Sequence, residues 1–126
     1  MKKYVILHED DRDLAQLVIE LLEEQNYSVI HVQDIEQLLV QAALHSPCVA
    51  LVDGNSPTEF DLWPLGEKLA KLGVPPVAFT AHASARQRFA TSPSGYIGVL
   101  LKPFDADEFV EVVNGICWEE HQAEAS

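Results

Sequence analysis

Five short apolar runs alternate with amphipathic stretches along this chain, and that alternation constrains its fold more than any other feature. The runs are Tyr4 to His8, Tyr27 to Val32, Val49 to Val52 (ending on Asp53), Val74 to Phe79 and Ile97 to Leu101. The first, Tyr4 to His8, is continuous rather than alternating, as expected of a strand covered on both faces. After the first run come Glu9, Asp10, Asp11 and Asp13, acids that suit the first turn of a helix, and then Leu14, Leu17, Val18, Leu21 and Leu22 at helical spacing. Asn26 reads as the stop signal. Asp34 can cap a second helix with Ile35, Leu38, Leu39 and Ala42 on one face, and Ser46-Pro47 ends it. Asp61 can cap a third, with Pro64 in its first turn, Leu65, Leu69 and Leu72 facing inward, and Gly73 as terminator. Pro75 and Pro76 should precede the ladder-forming part of the fourth strand. A short fourth helix is expected from about Ala83 to Ala90, closed by Pro93. Asp105 and Glu108 resemble a capping box, opening a last helix lined by Phe109, Val112, Val113 and Ile116.

Strand and helix alternate throughout, which implies a parallel sheet, helices on both faces and right-handed crossovers. The fold class expected is α/β: a flavodoxin-like, doubly wound, five-stranded parallel sheet of order 2-1-3-4-5. One domain over residues 1–118 accounts for the pattern, and the polar end from Glu119 to Ser126 reads as a frayed tail.

Composition excludes several function classes. With 20 acidic and 8 basic residues the net charge is −12, which argues against nucleic-acid binding by this domain. Concentrated carboxylates suit a divalent cation instead. No apolar run approaches the ~20 residues of a membrane span, and the start, Met1-Lys2-Lys3 followed by a short apolar run into Glu9-Asp10, reads as a first strand of a cytoplasmic protein. Cys48 and Cys117 match no metal-ligand spacing and read as buried reduced thiols.

The chemistry concentrates where strands end. Leu51-Val52-Asp53-Gly54-Asn55-Ser56-Pro57 is an apolar run stopped by a carboxylate and followed by turn formers. The first, third, fourth and fifth strands end in Glu9-Asp10, Asp53, Thr80 and Lys102. In the expected sheet order these four strands are neighbours and their C-terminal ends share one edge, where such sheets bind ligands. Three carboxylates, a hydroxyl and an ammonium then meet. Clustered carboxylates repel unless a cation is present. A carboxylate can act as nucleophile, and a hydroxyl and a lysine can hold transferred phosphoryl oxygens.

Glu9-Asp10, Asp53, Thr80-Ala81 and Lys102-Pro103-Phe104, in register at four strand ends, make the chain resemble the receiver domain of two-component response regulators. The resemblance extends from residue 1 to about residue 118. It implies that Asp53 accepts a phosphoryl group from a histidine kinase or histidine phosphotransfer protein, and that the domain catalyses only its own phosphorylation and dephosphorylation. It implies Mg²⁺ (or Mn²⁺) held by Asp10 and Asp53, by Glu9 through a bound water and by the carbonyl of Asn55. Thr80, with the backbone of Gly54 and Ala81, would bind the phosphoryl group, and Lys102 would pair with it. Asn55 and His82 fall where the family tunes dephosphorylation, and Lys102-Pro103 is a candidate cis peptide. The partners implied are a kinase or phosphotransfer protein and an output partner of unknown identity, with the domain a monomer or weak dimer, away from membrane and nucleic acid.

The chain also departs from the family pattern. Glu9 stands where Asp is commoner, His8 where an aliphatic residue is usual, and Ser56-Pro57 where Met-Pro is usual. Val99 occupies a position where many members carry Tyr or Phe, and Tyr96 lies three residues earlier. These departures support an alternative: a pseudo-receiver acting as a phosphorylation-independent interaction module. Trp63 and Trp118 read as cover for the core edge, Arg86 and Arg88 as solvated surface, and His8 as a polar tail at its strand end. His31, His45 and His121 show no partner pattern.

Overall fold

The computed structural model describes the backbone over residues 3–53, 59–80 and 95–125 and the side chains over 3–53, 64–80 and 95–118. The elements are β1 (Lys3–His8), α1 (Arg12–Glu24), β2 (Tyr27–Val32), α2 (Ile35–His45), β3 (Val49–Asp53), α3 (Glu59–Lys71), β4 (Pro76–Thr80), β5 (Gly98–Leu101) and a C-terminal helix, α4 (Ala106–Ala125). The expected short helix at 83–90 lies outside the described residues. The sheet has five strands in the order β2-β1-β3-β4-β5, every pairing parallel. This is the doubly wound order expected.

Side chains of a strand point alternately to its two faces, and here each face has its own core. Val5, Leu7, Val49, Leu51, Val77 and Phe79 pack with α1 and α4 through Ala15, Val18, Leu22, Phe109 and Val113. Ile6, Ala50, Val52 and Ala78 pack with α2 and α3 through Leu38, Ala42, Leu65 and Leu69. Both faces being covered is why β1, β3 and β4 read as apolar runs. Among the described residues no helix is long and apolar enough to cross a membrane.

Local signals account for most boundaries. Asp11 caps α1, its side chain accepting from the N–H groups of Asp13 and Leu14, and Asn26 closes the turn after it at φ 69°. Asp34 caps α2 through the N–H of Gln37 at 2.8 Å. Asp105 accepts from the N–H groups of Asp107 and Glu108 at the start of α4. Gly73, at φ +78°, ends α3, a left-handed conformation that glycine adopts without strain. Gly95 is required for a second reason: a Cβ there would lie 2.8 Å from the Gly66 carbonyl oxygen of α3.

Several expectations are corrected. The third helix begins at Glu59, so Pro64 lies inside it and not in its first turn, and Asp61 is a helical residue. Leu72 is 45% exposed and does not belong to the inner face. Pro76 is not ahead of the ladder but its first residue, paired with Ala50, as an edge of the ladder tolerates. Cys48 and Cys117 are not free thiols: they form a disulfide, with Cα atoms 5.2 Å apart. The crossover topology carries the residue before β3 under α4, and a sequence separation of 69 gives no sign of that approach. Trp118 is 42% exposed, with the Lys3 ammonium 5.0 Å from its ring centroid. The side chains of Trp63 and His121, and all of Arg86 and Arg88, lie outside what is described.

Candidate functional site at the C-terminal edge of the sheet

Parallel pairing brings the C-terminal ends of β1, β3, β4 and β5 to one side. Glu9 directly follows β1, Asp53 ends β3, Thr80 ends β4 and Lys102 directly follows β5. The Lys102 backbone N–H donates to the Thr80 carbonyl at 2.8 Å, extending the ladder by one residue. The Lys102–Pro103 peptide bond is cis, as expected for it. Phe104, next in sequence, stacks on Phe79 and Phe109, with ring centroids at 5.5 and 5.0 Å. A strand and an aromatic cluster therefore hold the backbone of Lys102 from both sides.

The Lys102 ammonium lies between two carboxylates, 2.6 Å from Glu9 Oε1 and 3.4 Å from Asp53 Oδ1. The Glu9 side chain is 1% exposed, that of Asp53 12% and that of Lys102 14%. The shorter contact is an ion pair without hydrogen-bond geometry, whereas in the longer one Lys102 Nζ donates to Asp53 Oδ1. The other carboxylate oxygen of Glu9 accepts from the N–H of Asp11 at 3.2 Å. The Glu9 carbonyl lies 3.1 Å from His31 Nε2. Glu9 is thus fixed from β5, from the start of α1 and from β2. Thr80 is fully buried. Asp10, in contrast, is exposed.

Of the residues expected at the site, Glu9, Asp53, Thr80 and Lys102 meet at one edge. Gly54, Asn55, Ala81 and His82 lie outside the described residues. Hard carboxylate oxygens are what Mg²⁺ takes, yet no three His, Cys, Asp or Glu residues group to hold a metal among the described residues. In the described arrangement the ammonium of Lys102 lies between the carboxylates of Glu9 and Asp53. The role of His31 beneath Glu9 escaped sequence reasoning. Its only trace was an alternation of polar and apolar residues at the end of β2.

A protein-family model described as response regulator receiver domain matches residues 5–114. The chain belongs to that family. A receiver of this kind is a phospho-accepting switch domain rather than a classical enzyme. A probable transcriptional regulator of Guillardia theta is 26% identical over 120 residues, 90% of this chain and 52% of the relative. The receiver thus spans about half the length of that curated relative. Among solved structures, the receiver domain of a sensor histidine kinase of Pseudomonas aeruginosa superposes with a TM-score of 0.77 at 23% identity, over 93% of this chain and 98% of that one. That structure is described with a magnesium ion in its active-site cleft. The chemotaxis protein CheY4 of Vibrio cholerae gives 0.77 at 19% identity, over 92% and 99% of the two chains. These structural likenesses concern the fold. Within the receiver, Val99 sits in β5 opposite Ala78. Tyr96, just before β5, packs with Val99 against the core beneath α2 and α3.

Proposed function

We propose that this receiver, over residues 1–118, takes a phosphoryl group onto Asp53 from the phosphohistidine of a histidine kinase or phosphotransfer protein and thereby switches a protein-interaction face. The observation that carries this reading is the Glu9–Lys102–Asp53 cluster at the C-terminal edge of the sheet. An Asp53 carboxylate oxygen would attack phosphorus, the P–N bond would break, and the imidazole would leave with a proton taken up at its freed nitrogen. Lys102, already 3.4 Å from Asp53, needs only to pivot to pair with the new phosphoryl oxygens. Thr80, which ends the neighbouring strand β4, would bind the same group, with the backbone of Gly54 and Ala81 proposed as further donors. Asn55 and His82 are proposed to tune hydrolysis.

Mg²⁺ or Mn²⁺ is the proposed cofactor, and its chemistry would be to neutralise charge on the phosphoryl oxygens. Holding it would require Asp10 and the Asn55 carbonyl to join Glu9 and Asp53, and Lys102 to give up Glu9. A cytoplasmic location, a monomer or weak dimer, and an output partner other than nucleic acid or membrane complete the proposal. The Cys48–Cys117 bond weighs against the location, since such bonds are scarce in most cytosolic proteins.

The test is incubation with acetyl phosphate and MgCl₂ followed by intact-mass and peptide mass spectrometry. A phosphoryl increment on the peptide containing Asp53, absent from Asp53→Asn, is the expected result. An equal increment in Asp53→Asn would overturn the nucleophile assignment. No increment in the natural chain, from acetyl phosphate or from a phosphorylated phosphotransfer domain, would overturn phosphoryl acceptance itself.

A further inference from the structure

Helix α2 is apolar on nearly every side. Ile35, Leu38, Leu39, Val40, Ala42, Ala43 and Leu44 leave only Glu36, Gln37, Gln41 and His45 as its polar residues. A helix of that kind is ordinarily buried all round. Only Leu38 and Ala42 are fully buried here, while Val40 is 46% exposed and Leu44 69%. Leu72, just past the end of α3, is 45% exposed. Between the two helices runs an open groove of about 470 Å³, lined by Leu39, Val40, Ala43, Lys68, Lys71 and Leu72. Helices in a doubly wound fold run against their strands, so the C-terminal halves of α2 and α3 lie toward the sheet edge opposite Asp53. The groove is therefore separate from the site described above.

Charge selects the occupant. The chain carries 20 acidic and 8 basic residues, yet two of the basic ones, Lys68 and Lys71, stand one turn apart on the rim of this groove. The only acid on α2, Glu36, is in its first turn, away from the lining residues. Neither lysine is in an ion pair among the described residues. Both also complement the C-terminal end of their own helix, but two full charges exceed the roughly half charge of a helix end.

We infer that the α2–α3 groove docks an amphipathic helix of a partner protein, its apolar stripe on Leu39, Val40, Ala43 and Leu72 and its flanking Asp or Glu side chains on Lys68 and Lys71. Helix-in-groove recognition uses this combination of apolar anchors and rim charges. A second copy is a poorer occupant, because a two-fold dimer presents the same patch on both sides and would bring like lysines together. An anionic membrane is also poorer, because its extended surface would face the acids of a chain of net charge −12, whereas a single helix meets only the groove and its two lysines within the screening length.

The probe is a fluorescein-labelled synthetic helical peptide with Leu at i, i+3, i+4 and i+7 and Glu on both flanks, titrated with the full chain and followed by anisotropy and by amide chemical shifts. Saturable binding is expected, with shifts confined to 39–44 and 68–72. Lys68→Glu with Lys71→Glu should weaken it about tenfold, as should replacing the peptide's Glu residues by Lys. Val40→Gln should weaken it as well, and circular dichroism checks that each variant remains folded. Absence of saturable binding, equal affinity for the acidic and basic peptides, or shifts centred elsewhere would overturn the inference. So would self-association of the free chain through this face by sedimentation, or capture of phosphatidylserine vesicles in place of the peptide.

Discussion

The ammonium of Lys102 lies nearer to Glu9, at 2.6 Å, than to Asp53, at 3.4 Å. Glu9 is one methylene longer than aspartate, and that length carries its carboxylate from the end of β1 across to the lysine after β5. The 1% exposure of the Glu9 side chain makes the pair one of partners that water cannot replace. Removing one partner of a buried pair costs about 3–5 kcal/mol, whereas removing both costs far less. Lys102→Met should therefore destabilise the domain by an amount in that range, and Glu9→Gln with Lys102→Met should recover most of it. Urea unfolding of the two single variants and the double variant measures the coupling. Additive losses would mean that Glu9 and Lys102 do not act as a pair.

The same lysine sets a prediction for metal. If the ammonium occupies the charge position a divalent ion would take, then Lys102→Met leaves Glu9 and Asp53 facing each other with no compensating cation. Mg²⁺ should then raise the unfolding midpoint of Lys102→Met more than that of the natural chain. A tenfold gain in affinity adds about 1.4 kcal/mol of stabilisation once the ion is in excess. An equal or smaller shift in the variant would show that lysine and metal do not compete.

Strand ends were the legible part of this chain. Asp53, Thr80 and Lys102 were placed correctly because an unbroken apolar run that stops at a polar residue reports both burial and the edge of a sheet. Asp34 as a cap and Gly73 as a terminator were legible because each acts on its own helix. What depends on a distant residue was not. Nothing near Glu9 indicates that it would reach Lys102, and nothing near Cys48 indicates Cys117. Pro64 misled because proline usually marks a helix's first turn, whereas α3 starts at Glu59. Leu72 kept the spacing of Leu65 and Leu69 but falls after the last turn, where the chain has left the sheet. The apolar residues of α2 were recognised, but periodicity cannot say which of them would remain uncovered.

Burial raises the phenol pKa of Tyr96 well above its ordinary value and raises that of Tyr27 in the same direction. The folded chain then keeps protons that the unfolded chain gives up as pH passes about 10. Where the unfolded state binds fewer protons, stability falls with rising pH. Unfolding free energy should be flat with respect to these groups below about pH 9 and should fall above about pH 10. Tyr96→Phe should make that fall shallower, leaving the part due to Tyr27. An unchanged slope, measured by urea unfolding at successive pH values, would place the Tyr96 hydroxyl in water.

The disulfide joins the residue before β3 to the fourth turn of α4 across a sequence separation of 69. A cross-link over a loop of that length restricts the unfolded chain by about 4 kcal/mol in the chain-entropy view. Cys117 is fully buried beside Phe109 and Val113, so reduction also leaves an apolar thiol in place rather than a cavity. The native fold should thus survive reduction with a lower unfolding midpoint. Cys48→Ser should lose stability close to that seen with reductant, and the reductant should have no further effect on it. Thiol titration of the native chain under denaturant should find no free thiol before reduction and both cysteines after it. Two reactive thiols before reduction, with a midpoint insensitive to reductant, would show that the pair packs without bonding.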